Sequence, residues 1–278
     1  MMKSNLGELK CKAQELRETI LTMIYTASSG HPGGSLSMAD IFTVLYNAEM
    51  NIDPEDPKKI DRDRLVLSKG HACPVLYSSL ALKGYFPYEN IYTLRKLGSI
   101  LQGHPDMNKT PGVDMTTGSL GQGLSAAVGM AFGQRVLGLS ARTYAILGDG
   151  ELNEGQIWEA AMLANKYRLA NLVAIVDFNN LQLDGTCCQV MPIEPIDKKF
   201  EAFGWLVIKI DGHDIEQILE AFAKARQEDS RPVCIIAKTI KGKGVSYMED
   251  QAGWHGRAPN QQEYDCAIGE IRCGSGVQ

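Results

Sequence analysis

The stretch from Gly148 to Gly185, GDGELNEGQIWEAAMLANKYRLANLVAIVDFNNLQLDG, decides the fold. An apolar run, Thr143 to Leu147, leads into it and stops at Gly148-Asp149-Gly150. A helical pattern follows with Ile157, Ala161 and Ala164 on one face. A second apolar run, Leu172 to Val176, ends in Asp177-Phe178-Asn179-Asn180. The changes of period read as strand, helix, strand. Short strands that are apolar on both faces and joined by a helix belong to a parallel sheet, and such sheets bind ligands at the carboxyl ends of their strands. Asp149 and Asn179, 30 positions apart, are therefore expected at one edge.

One carboxylate, one side-chain amide and several glycines at a strand edge suit a hard cation. Magnesium takes oxygen ligands at roughly 2.0–2.1 Å, keeps some waters and shares ligands with a phosphorylated partner. Gly148 and Gly150 would let such a partner approach the backbone without meeting a side chain. On the GDG alone, a tight turn with Asp149 capping the helix explains the pattern equally well. The asparagine at the matching strand end favours the cation.

The chain has 278 residues, enough for one large domain or two small ones. Its net charge of −5 and pI near 5.6 argue against nucleic acid or an acidic membrane as partner. Seven cysteines, an odd number without paired spacing, point to a reducing compartment, and no apolar run approaches the length of a membrane span. A cytoplasmic protein is expected.

Before the central stretch, Leu6, Leu9, Ala13, Leu16, Ile20, Met23 and Ala27 mark one helical face, with Asn5 and Glu8 as a capping box. His31-Pro32-Gly33-Gly34 reads as a turn, Met38 to Ala48 as a helix, and Asn51 to Asp63 as a charged surface loop. Arg64 to Ser68 is a short strand handing over at Ser68-Lys69-Gly70-His71-Ala72 to a helix. Thr117 to Gly123 is a glycine-rich loop opening a small-residue helix, Leu124 to Val136, whose Ala126, Ala127, Gly129, Ala131 and Gly133 would allow close packing on neighbouring backbone. Such a loop at a helix N-terminus can cradle an anion, although a crowded core would use the same residues.

After it, strands Leu206 to Ile210 and Val233 to Ala237 bracket a helix from Asp214 to about Arg226, and Gln261 to Ile271 is a last helix before a frayed Gly274-Ser275-Gly276. The alternation continues throughout, so a single α/β domain over 1–278 is expected, a doubly wound and mostly parallel sheet with helices on both faces.

The five histidines, at 31, 71, 104, 213 and 255, each adjoin a glycine. Any one of them could be a simple turn residue. A zinc site would favour close pairs such as HxxxH or CxxC, and neither is present.

GDG followed about thirty residues later by NN resembles the thiamine diphosphate fingerprint. GHPGG at 30–34, SKGHA at 68–72, QGHP at 102–105, TTGSLGQG at 116–123, GDGELNEGQIWEA at 148–160 and WHG at 254–256 resemble transketolase segments in the family's order, and they span nearly the whole chain. The resemblance implies thiamine diphosphate and Mg2+ as cofactors, with Asp149, Asn179 and the carbonyl of Leu181 as metal ligands. It implies that His71, Gly118, Leu120, Gly150, Asn179, Lys241 and His255 bind the cofactor. It assigns His31, His71, His104 and His255 to catalysis, with His104 on the donor's terminal hydroxyl. Imidazole, with a pKa near 6.5, suits the proton transfers of ketol exchange. Glu154 resembles the family's acidic residue at the dimer interface, though a first-turn glutamate favoured by the helix dipole would look the same. Ser119 stands where relatives often carry proline.

Family members continue into a pyrimidine-binding domain, whose glutamate activates the cofactor, and then a third domain. Neither resemblance appears in this chain, which is similar to the N-terminal subunit of a split transketolase. The resemblance then implies a partner subunit carrying the pyrimidine-binding domain, an α2β2 assembly, and transfer of a two-carbon ketol unit between sugar phosphates, as in the pentose phosphate pathway. Two alternatives stay open. One is ketol transfer on a non-phosphorylated or sulfonated sugar, and the other is a non-catalytic thiamine diphosphate-binding or regulatory protein. Deoxyxylulose phosphate synthase fits less well, because QGHP and WHG are not its pattern.

Overall fold

Five parallel strands in the order β1-β2-β3-β5-β4 form the sheet: β1 (Arg64–Leu67), β2 (Thr143–Gly148), β3 (Leu172–Phe178), β4 (Leu206–Asp211) and β5 (Val233–Lys238). This is a computed structural model, and it describes residues 6–274. The helices are α1 (Leu6–Ala27), α2 (Pro32–Leu36), α3 (Ala39–Val44), α4 (Cys73–Leu82), α5 (Gln122–Val136), α6 (Gly155–Lys166), α7 (Cys187–Val190), α8 (Ile196–Ala202), α9 (Ile215–Gln227) and α10 (Gln261–Cys273).

The alternation along each strand divides the core in two. Val66, Ala145, Leu147, Ala174, Val176, Cys234 and Ile236 meet one layer, which includes buried residues of α5, α6 and α8. Leu65, Leu67, Tyr144, Ile146, Val173, Ile175, Val233 and Ile235 meet the other, which includes those of α1, α3, α4, α9 and α10. A sheet buried on both faces by crossover helices is the expected doubly wound α/β architecture. All five strands present their carboxyl ends to one edge, so the loops after them converge there.

Several local expectations change. His31-Pro32-Gly33-Gly34 is not an isolated turn: Pro32 opens α2, with His31 at the N-cap, because proline at the first helical position sacrifices no needed N–H. The helix expected over 38–48 stops as α-helix at Val44, continues as one π turn, Leu45–Glu49, and leaves Ala48 only half-buried. Arg62 and Asp63 are buried rather than part of a surface loop, Arg62 being paired with Asp114 at 2.5 Å. Gly129 and Gly133 of α5 do not pack on backbone; a side chain at either would enter open space. Asn5, and with it the expected capping box, lies outside the described residues, as do the terminal residues from 275 onward.

Candidate active site

Four loops build the site, each following a strand or a glycine turn. After β2, Asp149 accepts from its neighbour's Gly150 N at 2.8 Å and opens a 3-10 turn, Gly150–Asn153, while α6 starts only at Gly155. Glu154 is therefore the exposed N-cap of α6, not a first-turn residue. After β3, Asn180 adopts a left-handed φ of 61° and turns its N–H onto Asp149 Oδ2 at 2.5 Å. This hydrogen bond ties the GDG loop to the NN loop.

Glu151 fixes the rest of that edge. Its buried carboxylate accepts from Gly121 N at 2.8 Å, Gly148 N at 3.0 Å and Ser68 Oγ, so the loops after β1 and β2 and the loop before α5 share one anion. Gly123 allows the third loop this close, since a Cβ there would lie 2.6 Å from Ser68 Cα. Burial raises the Glu151 pKa against those hydrogen bonds.

Beneath the edge lies a second buried network. Asp177, fully buried near the end of β3, accepts from Lys69 Nζ at 2.5 Å, Ser37 Oγ at 2.7 Å, Asn179 Nδ2 at 3.1 Å and Thr239 Oγ1. Burial alone would raise its pKa, yet the Lys69 ammonium and the hydrogen bonds hold it below the usual carboxylate range. Lys69 Nζ also donates to Gly34 O at 2.9 Å, which brings the α2 turn to the strand ends.

The expected residues largely converge. Asp149, Asn179, Leu181, Gly150, Leu120, His71, Lys241 and His255 line one cavity of about 230 Å³ at the sheet edge. His31, His71 and His255 form a triangle with ring centroids 5.2, 5.4 and 5.0 Å apart. Gly118 and His104 are not on the cavity wall. They touch each other at its side, where a Cβ on Gly118 would meet the His104 ring at 3.3 Å. His104 is exposed, and Arg95 donates to Ser29 Oγ at 2.7 Å with its other amino group 3.4 Å from His31 Nδ1. A wider cavity, about 690 Å³, lies against β4 and β5 and contains none of the expected residues. The smaller cavity is the one lined by Asp149, Asn179, Lys241, His71 and His255.

Imidazoles titrating near neutral pH were expected, and the site makes them neutral instead. Burial, then Arg95 and neighbouring positive groups, lowers His31 to about 4. Burial and Lys69 lower His71 to about 2, and burial and Lys241 lower His255 to about 3. Burial and Arg95 also lower His104. His31, His71 and His255 are therefore neutral hydrogen-bonding groups at neutral pH and weak proton acceptors, and an anion beside them would raise their pKa values.

The residues fit a diphosphate held by a divalent cation. Asp149, one carboxylate with 3% exposure, forms no ion pair among the described residues, and burial and Asp177 raise its pKa to about 6. A buried carboxylate without a counterion is a natural place for a cation. Asn179 Oδ1 and Leu181 O are the neutral oxygens beside it. Leu181 O receives the Lys241 ammonium at 3.2 Å, and that ammonium lies 3.0 Å from His255 Nδ1. Among the described residues no group of three His, Cys, Asp or Glu side chains is arranged to hold a metal ion.

Residues 10–271 match the family model described as transketolase, thiamine diphosphate binding domain. The chain belongs to the transketolase family. It is 46% identical over 264 residues to a 6-deoxy-6-sulfo-D-fructose transketolase subunit from Clostridium sp. (strain MSTE9), covering 95% of this chain and 96% of that one. It is 42% identical to an apulose-4-phosphate transketolase subunit from Phocaeicola vulgatus, covering 95% and 93%. The transketolase structure from Campylobacter jejuni superposes with a TM-score of 0.92 at 36% identity, over 99% of this chain and 44% of that one. The chain thus matches separate transketolase subunits over nearly their whole length and spans less than half of the solved transketolases. Among the described residues no helix is long and apolar enough to cross a membrane, and all seven cysteines are free thiols.

Sequence reasoning overlooked Glu151, Lys69, Asp177 and Arg95. Asp177 and Glu151 did carry a signal: each is an acidic residue placed where the pattern demands burial, and a buried carboxylate needs donors.

Proposed function

We propose that this chain is the diphosphate-binding subunit of a two-chain transketolase that moves a two-carbon ketol unit from a ketose phosphate to an aldose phosphate. The observation that carries this reading is the cavity at the sheet edge where Asp149, Asn179, Lys241, His71 and His255 meet, with His31 packed against both rings. Thiamine diphosphate, when bound, supplies the carbon nucleophile and electron sink that break and remake the bond beside the ketose carbonyl. Asp149, Asn179 and the carbonyl of Leu181 would hold Mg2+. Lys241 and the N–H of Gly150, which in this structure donate to Leu181 O and Asp149 Oδ1, would be the donors toward the diphosphate, with His71, Gly118 and Leu120 alongside.

His31 and His255 face the sugar and, as neutral imidazoles, hydrogen-bond its hydroxyls; they would serve as proton acceptors once a bound anion raises their pKa values from about 4 and about 3. His104 binds the donor's terminal hydroxyl. A partner subunit with a pyrimidine-binding domain completes the cofactor pocket, and two of each chain form an α2β2 assembly in the cytoplasm. Phe132, Val136, Met162 and Leu163, exposed on α5 and α6, support an extensive interface.

A second reading, a sulfonated ketose as donor, is favoured by the name of the 46% identical relative. The test is co-expression with a pyrimidine-domain chain from the same source, then a ketol-transfer assay with thiamine diphosphate, Mg2+ and either phosphorylated or sulfonated ketoses. Activity only in the mixture is the expected result, and activity of this chain alone would overturn the two-chain reading.

A further inference from the structure

We infer that His213, set apart from the histidine triangle, is a positioning residue that clamps the loop carrying Lys241 in the shape a diphosphate requires. The inference rests on the cofactor reading of the sheet-edge cavity.

β4 ends at Asp211, and the turn Asp211-Gly212-His213 folds back on the end of β5. Gly212 N donates to Lys238 O at 2.7 Å, and His213 N to Asp211 Oδ1 at 2.8 Å. Gly212 permits this approach, because a Cβ there would lie 2.5 Å from Thr239 Cγ2 and 3.1 Å from Lys238 O. The turn delivers the imidazole edge to two partners. Its Nε2 accepts from Ile240 N at 2.8 Å, and its Nδ1 lies 2.8 Å from Asp40 Oδ2. An acceptor at Nε2 and a carboxylate at Nδ1 leave one tautomer, with the proton on Nδ1 donated to Asp40.

Asp40 is a firm anchor for that ring. The Arg17 guanidinium grips both its oxygens, at 3.1 and 2.5 Å. Burial would raise its pKa, but Arg17 and the His213 hydrogen bond hold it at about 2. The same Arg17 donates through Nε to Lys243 O at 3.2 Å. The segment 240–243 is thus held from beneath at both ends, by His213 at Ile240 N and by Arg17 at Lys243 O. From above, Gly242 N donates to Gly33 O at 3.0 Å, beside the His31 turn.

Lys241 lies between these fixed points. Its side chain alone crosses to the cavity, while Thr239, Ile240 and Lys243 face the 690 Å³ cavity on the opposite side. Without the Nε2 acceptor, Ile240 N loses its partner beside the 690 Å³ cavity, and the loop gains freedom to move Lys241 away from the strand ends.

Two near-isosteric variants separate positioning from general support. His213→Gln keeps an acceptor near Nε2, and His213→Asn keeps a polar group near Nδ1 but none that reaches Ile240. Amide hydrogen exchange on the full chain without cofactor is expected to show faster exchange at Ile240, Lys241 and Gly242 in His213→Asn, with near wild-type rates there in His213→Gln. In the assembled enzyme, thiamine diphosphate affinity with Mg2+ should fall about tenfold in His213→Asn and be restored to within about threefold in His213→Gln. Melting temperatures of the two variants should fall by similar amounts.

Equal exchange in both variants, or affinities that follow melting temperature alone, would overturn the clamp. A selective exchange change without any thiamine diphosphate binding, even in the wild type, would leave the clamp standing and remove the cofactor reading instead.

Discussion

The Asn179 amide nitrogen donates to Asp177 Oδ2, two residues back along the chain, at 3.1 Å, while its Oδ1 accepts from Leu181 N at 3.1 Å. Asp177 is thereby both the counterion of buried Lys69 and the residue that orients the proposed metal ligand. Neutralising it should affect both. Asp177→Asn leaves a buried ammonium without its charge partner, which costs about 3–5 kcal/mol. It should also weaken magnesium-dependent cofactor binding. Urea unfolding of the isolated chain measures the first effect, and a stability change below about 1 kcal/mol would contradict the role assigned to the Lys69–Asp177 pair.

The raised pKa of Asp149 predicts an unusual pH dependence. Its folded pKa of about 6 stands above its unfolded value of 3.8, because burial and Asp177 disfavour the charge. Between those values the folded state holds a proton that the unfolded state has lost, so the Asp149 contribution falls as pH rises through this window and is gone above about 6. Relative to Asp149→Asn, which does not titrate, the wild-type chain should lose on the order of 2 kcal/mol between pH 4 and pH 7 in the absence of Mg2+. Thermal melts of both chains across that range test it, and parallel curves would refute the shift. The variant should also abolish magnesium-dependent cofactor binding in the assembled enzyme.

The histidines contribute in the opposite sense. His31, His71 and His255 have folded values of about 4, 2 and 3, below the unfolded 6.5, so they stabilise the chain above pH 6.5 and that stability declines as pH falls below it. Inorganic pyrophosphate in the cavity would favour the protonated rings and reduce the loss. Melts at pH 5 with and without pyrophosphate should therefore differ more than melts at pH 8. A larger effect at pH 8 would mean that the anion does not bind beside these rings.

The sheet was legible because buried parallel strands have a distinctive pattern: both Leu172 to Val176 and Val233 to Ala237 are continuous apolar runs, and both are strands. The edge positions of Asp149 and Asn179 followed from topology alone. The supporting contacts were not legible. The Ser68, Gly121 and Gly148 donors that meet at Glu151 come from three loops, and no local period records which loops will touch. The histidine pKa values were misjudged for a related reason. Glycine neighbours suggested simple turn residues, whereas the folded loops half-bury His31, His71 and His255 beside Arg95, Lys69 and Lys241. Gly129 and Gly133 show a third kind of failure: small residues on a helix fit an intramolecular contact or a face left open for another chain, and the pattern is identical.

His104 stands apart from the cavity wall, beside Gly118 and under the influence of Arg95. Its proposed role is toward the sugar rather than the diphosphate. His104→Ala should raise the donor KM about tenfold or more and lower kcat in the assembled enzyme, while thiamine diphosphate affinity stays within about twofold. Because the side chain is exposed, the melting temperature should hardly move. Steady-state kinetics with varied donor decides the point, and a lower melting temperature with unchanged KM would make His104 a structural residue.

The open face of α5 and α6 predicts where the partner chain docks. Val136 and Met162 are 69% and 52% exposed, Phe132 and Leu163 lie with them, and Gly129 and Gly133 leave room for another chain to approach the α5 backbone. A charge placed there would be harmless in water and unpaired in an interface. Met162→Glu should therefore leave the melting temperature of the isolated chain unchanged while weakening assembly at least about tenfold. Ile60→Glu, at a site 63% exposed in the loop before β1, serves as the control and should assemble normally. Titration of the labelled chain with the pyrimidine-domain partner, followed by sedimentation velocity, reads both. Equal assembly by the two variants would move the docking face elsewhere, since a buried glutamate could not go unnoticed in an interface of the size a stable heterotetramer needs.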